Sequence, residues 1–374
     1  MRIAILSDLH LGSSLGEDLL RDPEIRAALL EEIAGADRVV LLGDAIELRE
    51  LPAAAALPRA REFFEALGEA VAGGEVVLVP GNHDNRLAEP LLDRHAEAGA
   101  AGLGLEQLGG AEEGPGATVA AWLGRARLTI AYPGIWLRED LYATHGHYMD
   151  CHMTLPRVEC LATATVMRIF GPIPPRASAD DYEKVVRPIY GFAHGMAQTG
   201  LAQRTHRPSE RAWRAISGSA APRNPIRRAA MRATISVGIP AGLWGLNRLL
   251  RSDFDPILSA EAITRSGIDA ATELAARLDL RGVDVITGHT HRAGPLDGEE
   301  PWPLAGGGHL HNSGSWVFAS AFHRPGTPPG PYWPGTVTWL EDEGPPRRVR
   351  LLTERSREEL KSKVRALAEP WPAD

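Results

Sequence analysis

The chain opens on a short apolar run, IAIL at 3–6, and the pattern returns twice, in RVVLLGD at 38–44 and EVVLVPGN at 75–82. Continuous apolar runs of this length are expected of strands buried on both faces. Helical patterns lie between them. The first has Asp22 as N-cap, Pro23 at the first helical position and Gly35 just past the end. The second is expected to begin near Pro58 and to stop at Gly73 and Gly74. Strand, helix, strand, helix, strand at this spacing predicts βαβ units and a largely parallel sheet.

Beyond Leu108 the pattern changes. ATVAAWLG and ARLTIAYP are expected as antiparallel strands around Gly124 and Arg125, followed by a strand LYATHGH. From about 150 to 280 the apolar periodicity is helical, with breaks at GPIPPR (171–176) and APRNP (221–225). Strands return with VDVITGHTH, HLHNSGSWVF, GTVTWLE and RRVRLL, and TERSREELKSKVRALAE has the spacing of a charged surface helix. The expected organisation is a core at 1–150 and 281–352, a helical insertion or lid at 151–280, and a C-terminal surface helix within 353–374.

The chain's net charge of −8 hides an uneven distribution. Residues 151–250 hold 14 Lys/Arg against 5 Asp/Glu, a basic block in an acidic body. Such a block suits an anionic partner: a phosphate-containing substrate first, an anionic lipid surface through the insertion second, a nucleic acid third. The least polar long run, ATISVGIPAGLWGLN at 233–247, falls short of the ~20 residues of a membrane span and contains Pro240. No transmembrane segment or secretion signal is expected, and Cys151 and Cys160 make no disulfide framework. The expected location is cytoplasmic, with contact to the inner face of the membrane as an extension of it.

The chemistry sits at the strand ends. They read Asp8-Leu9-His10, Gly43-Asp44, Gly81-Asn82-His83-Asp84, His145-Gly146-His147 and Gly288-His289-Thr290-His291. Open α/β sheets bind ligands beyond the carboxyl ends of their strands. Each motif alone is commonplace, but five in this order are not. Carboxylates, one amide and imidazoles, with no thiolate, suit divalent Mn, Fe, Ni, Co or Zn. The donors are too many for one tetrahedral zinc and about right for two ions sharing a carboxylate. The crowded stretch ATHGHYMDCH (143–152) is therefore expected to supply one ligand, His145, to a site assembled from distant strand ends.

The set DLH…GD…GNHD…HGH…GHTH resembles the calcineurin-like metallophosphoesterase superfamily, and NSGSW (312–316) is similar to the strand that follows its last motif. The resemblance implies a four-layer α/β/β/α sandwich of two mixed sheets and a dinuclear metal centre, with manganese the first expectation. It places Asp8, His10 and His291 on one ion, Asn82, His145 and His289 on the other, and Asp44 between them. A hydroxide shared by the ions would attack phosphorus in line. His83 would touch a phosphate oxygen and protonate the leaving group, with Asp84 orienting its ring. His147, Asp150, Glu47 and His194 are the expected substrate-side residues. In detail, SDLHLG with GDAIE is most similar to the UDP-diacylglucosamine pyrophosphatases, which also carry a helical insertion. That branch has Arg at the position of His83 and a shorter insertion. The implied reaction is hydrolysis of a phosphodiester or pyrophosphate with a bulky, lipid- or nucleotide-linked substrate. The alternatives are a nuclease or nucleotide phosphodiesterase, and a non-catalytic scaffold, which lost ligands would mark.

Overall fold

The computed structural model describes residues 1–99, 102–199, 239–255, 260–320, 323 and 326–368. Most of the basic stretch at 204–251 lies outside the described residues. Strands β1 (Ile3–Leu6), β2 (Arg38–Leu41) and β3 (Glu75–Leu78) pair in parallel, as the apolar runs predict. Helix α1 (Pro23–Ile33) follows Asp22, whose side chain accepts from the Glu24 and Ile25 amides, both at 3.1 Å. Helix α2 (Ala53–Ala70) begins before Pro58, which sits within it on the exposed side. The alanines at 53–56 are strong helix formers and carry the first turn.

After α3 (Glu89–Glu97) and β4 (Glu106–Gly110), the segment expected as a strand at 117–124 is instead α4 (Gly114–Leu123). Its buried Val119 and Leu123 lie four residues apart, a helical repeat, and Leu123 packs closely over Gly68 of α2. That correction changes the topology. The following β5 (Arg127–Arg138) is parallel to β3, so α4 is part of a crossover rather than a hairpin arm.

Strand β5 is 12 residues long and serves two neighbourhoods. Its first half pairs with β3 and β4, and its second half pairs with β6 (Leu141–Thr144). The remaining strands are β7 (Asp284–Thr287), β8 (Trp302–Pro303), β9 (His309–Asn312), β10 (Thr336–Leu340) and β11 (Arg347–Arg350). Together they form one mixed path, β11-β10-β1-β2-β3-β5-β6-β7-β9-β8, with β4 beside β5. The chain is thus a mixed α/β protein on one curled eleven-stranded sheet among the described residues.

Alternation along the strands sorts the apolar side chains into layers. Ala4, Leu6, Val39 and Leu41 face α1, α2 and α4. Ile3, Ile5, Val40, Leu42, Val77 and Val79 face the other way, against Ile135, Leu141, Ala143 and Ile286 from the sheet's other half. A third cluster joins that half to the helices α5 (Val158–Phe170), α6 (Ala179–Gln198), α7 (Ile239–Leu250) and α8 (Ala260–Arg277), through Tyr182, Val186, Leu243 and Leu274. The described insertion helices therefore share a core with the sheet. Helix α9 (Arg357–Leu367) buries only Leu360, as its charge pattern predicts. No helix among the described residues is long and apolar enough to cross a membrane. Both cysteines are buried free thiols.

One core histidine carries a pH dependence. His323 is buried, stacked on Phe318 with ring centroids 5.0 Å apart and edge-on to Trp333. Burial, aided by the Arg357 guanidinium, lowers it to about 4. The unfolded chain takes up this proton below about pH 6.5 and the folded chain does not, so stability is lost as pH falls from 6.5 to 4. Replacing His323 with phenylalanine is expected to shrink the drop in melting temperature between pH 7 and pH 4.5 by about 2–3 °C. An unchanged drop would show that His323 is protonated without cost.

Candidate metal centre

Five of the motif residues have left-handed backbones: Asp8 (φ 54°), His10 (46°), Asp44 (50°), His289 (63°) and His291 (59°). Non-glycine residues rarely adopt this region, and such strain concentrates at functional sites. Each chain turns sharply as it leaves the sheet, which aims successive side chains into one cleft. Two glycines are required beside them. A methyl on Gly43 would run into the His145 ring, and one on Gly288 would run into Ser7 Oγ and the Asp8 carboxylate.

The turns assemble two convergent donor sets. In the first, Asp8 Oδ1 lies 3.2 Å from His291 Nε2, and His10 Nε2 lies 3.3 Å from the same atom. In the second, Asp44 Oδ2 lies 3.2 Å from His145 Nε2, and the inward amide atom of Asn82 lies 3.2 Å from His145 Nε2 and 3.1 Å from His289 Nδ1. Asp44 joins the two, since its Oδ2 is also 3.6 Å from His10 Nε2. The acid and histidine groupings whose donor atoms fall within ion-binding range are Asp8–His10–His291, His10–Asp44–His83 and Asp44–His145–His289. All seven expected ligands are thus brought together, from strand ends spread across the chain.

The outward nitrogens fix the tautomers. His145 Nδ1 donates to the Leu42 carbonyl at 2.9 Å, His289 Nε2 to Asp150 Oδ1 at 2.9 Å, and His10 Nδ1 to Glu47 Oε2 at 2.9 Å. Each ring therefore presents a lone pair to the centre. Asp150 is a supporting group behind His289, buried rather than at a pocket mouth. His147 is likewise buried, its Nε2 3.3 Å from Tyr132 Oη, in a layer with Tyr148 and Glu183. His194 is half-buried on α6 near the Leu48 carbonyl.

Glu47 is not on the substrate side. It lies under the cleft, 1% exposed, and its Oε2 accepts from His10 Nδ1 and from His83 Nδ1 at 2.6 Å. Its Oε1 accepts from the Arg49 and Glu50 amides. Burial would raise the Glu47 carboxyl, but the facing His83 and His10 rings outweigh it and hold it well below the carboxylate range. The orienting partner of His83 is therefore Glu47, where the resemblance implies Asp84. The Asp84 carboxylate instead accepts from the amides of Gly81, Asp44, Ala45 and Ile46, tying the β2 and β3 turns together. A Gly-Asn-His-Asp turn placed Asp84 next to His83 in sequence, but the side chain points the other way.

Sequence reasoning missed two charged groups. Arg49 sits five residues past Asp44, with Nη1 2.8 Å from the outward amide atom of Asn82. Glu159, in the first turn of α5, lies 3.4 Å from Arg49 Nη2. Arg49 was visible in GDAIELRE as a charge close to a motif. Glu159 gave no signal.

Do these residues fit a metal? Asp8 Oδ1 is fully buried without a hydrogen-bond partner, although a carboxylate oxygen so placed should be satisfied. With its oxygen inward, Asn82 adds a further lone pair to those of Asp44, His145 and His289, an arrangement that a cation satisfies and that hydrogen bonds among these groups do not. The donor set of carboxylate, amide oxygen and imidazole is that of a hard to borderline divalent ion. The fit is good on all three counts.

A comparison with curated protein sequences gives no match. The family model described as calcineurin-like phosphoesterase matches residues 1–174, a span that holds Asp8 to His145, while the fold adds His289 and His291 from beyond it. With that match to a family whose members are metal-dependent phosphoesterase hydrolases, the chain is an enzyme of that class.

Proposed function

We propose that the protein is a dinuclear metal-dependent hydrolase of a phosphodiester or pyrophosphate bond, most similar in its motifs to the UDP-diacylglucosamine pyrophosphatases. The observation that carries this is the pair of donor sets sharing Asp44. Asp8, His10 and His291 would hold one divalent ion, Asn82, His145 and His289 the other, and Asp44 both. Two such ions, manganese by preference, would acidify a water and take up charge on the phosphoryl oxygens. The chain's own residues do the rest. Glu47 fixes the His83 ring by its Nδ1, which leaves Nε2 as the ring atom available to a substrate. His83 Nε2 would then move a proton to the leaving-group oxygen. Asp84 holds the backbone from which His83 and Asp44 project.

The division of labour follows the sheet. In a four-layer sandwich built on the two halves of the curled sheet, the core at 1–150 and 281–352 would carry the reaction. The insertion at 151–280 would choose a bulky, lipid- or nucleotide-linked substrate through its basic charge. Hydrolysis by protein stripped of metal and reloaded with Mn²⁺ tests this across aryl phosphodiesters, nucleotide pyrophosphates, nucleotide-linked lipids and single-stranded DNA. Metal-dependent turnover that prefers a pyrophosphate or diester with a large leaving group is expected. A preference for DNA that falls steeply with salt would replace this reading with a nuclease.

A further inference from the structure

The Asn82 carboxamide can sit in two ways, and the difference involves Arg49. With its nitrogen inward, it donates to His145 Nε2 at 3.2 Å, His289 Nδ1 at 3.1 Å and Asp44 Oδ2 at 3.3 Å, and its oxygen accepts from Arg49 Nη1 at 2.8 Å. Its two N–H groups can then serve two of these three acceptors, and its oxygen is satisfied by Arg49, with no cation needed to hold the amide. With its oxygen inward, as a cation requires, the NH₂ faces Arg49 Nη1 across the same 2.8 Å. Two donors cannot share that distance, so the guanidinium must give up Asn82.

What the guanidinium then meets is set by its surroundings. Its Nη2 stays 3.4 Å from Glu159 Oε1, a carboxylate that Arg157 also faces, and its side chain is 14% exposed. Glu159 is shared between Arg49 and Arg157, the latter also facing Asp150, so Arg49 does not have this carboxylate to itself. The other acids facing Arg49 are committed. Glu47 is held by His10 and His83, and Asp44 belongs to the donor set. A largely buried guanidinium that loses an oxygen acceptor needs another, and the anion that enters this cleft is a phosphoryl group.

We infer that Arg49 is a phosphate-binding residue gated by Asn82: in the absence of metal it caps the Asn82 oxygen, and on metal binding it exchanges that oxygen for one on the substrate phosphoryl group. This rests on the metal reading proposed above. Asn82 thereby links occupancy of the centre to readiness for the anion, and Glu159 brings the insertion into contact with the site by tethering Arg49 from α5.

Titration calorimetry on the full chain tests this, with Mn²⁺ as one probe and inorganic phosphate, added to Mn²⁺-loaded protein, as the other. In R49Q, Mn²⁺ affinity is expected to stay the same or tighten, because the metal no longer competes with Arg49 for Asn82. Phosphate affinity is expected to fall about 10- to 100-fold. R49K keeps a cation for Glu159 and so guards the fold. It should lose a smaller part of the phosphate affinity, because an ammonium lacks the fork. A residue that only braces the cleft would weaken both probes together, and that result overturns the inference. So does phosphate affinity equal to wild type in both variants. Wild-type protein that binds no Mn²⁺ overturns the metal reading itself, a result distinct from either of these.

Discussion

Replacing Asp44 with asparagine will cost at least about 10³-fold in kcat/KM, on the order of 4 kcal/mol of transition-state stabilisation. The substitution is chosen to preserve the fold. Asparagine keeps an Oδ1 that can accept from the His83 amide, as Asp44 does at 2.8 Å. It converts the other oxygen into an NH₂ aimed at His145 Nε2, 3.2 Å away, to which it can donate. The new hydrogen bond occupies the lone pair meant for a cation, and the substitution removes the one carboxylate that, among the described residues, is placed between the two donor sets. Activity loss with an unchanged circular dichroism spectrum is the expected result. An active D44N would show that no bridging carboxylate is needed.

The second large effect is at His83, and its signature is its dependence on the leaving group. If His83 Nε2 delivers a proton, H83Q should lose about 10²- to 10³-fold on substrates whose leaving oxygen needs protonation. Loss on a nitrophenyl ester, whose leaving group departs as an anion, should stay within about tenfold. Equal loss on both would assign His83 to phosphate binding instead. Glu47, which accepts from both His10 and His83, should not be used for this comparison, because its loss disturbs a metal-ligand candidate and the proton donor together.

How much of this was legible in the chain itself varies with what each feature depends on. The three parallel strands and the cap at Asp22 follow from short apolar runs and local hydrogen bonding, and both are read directly. The donor residues stand out because a buried site needs chemically unusual side chains at strand ends. The segment at 117–124 misled because alanine and valine fit strand or helix over so few residues. What decided the matter was Gly68, which lets Leu123 approach α2. The partner of His83 was not legible, since adjacency in sequence says nothing about where a carboxylate turns, and Asp84 is consumed by backbone amides. Arg49 and Glu159 stand 110 residues apart, and only the packing of α5 against the turn at His147–Cys151 brings them together. Eight of the 14 basic residues in the block at 151–250 lie outside the described residues, so its part in substrate choice rests on charge.

The central claim is a two-ion centre. Its most direct measurement is the number of Mn²⁺ ions retained per chain, by mass spectrometry of elements, after reloading wild type and D44N and removing free metal by gel filtration. Two per wild-type chain and one or fewer in D44N are predicted. One or none in wild type, or two in both, would contradict it.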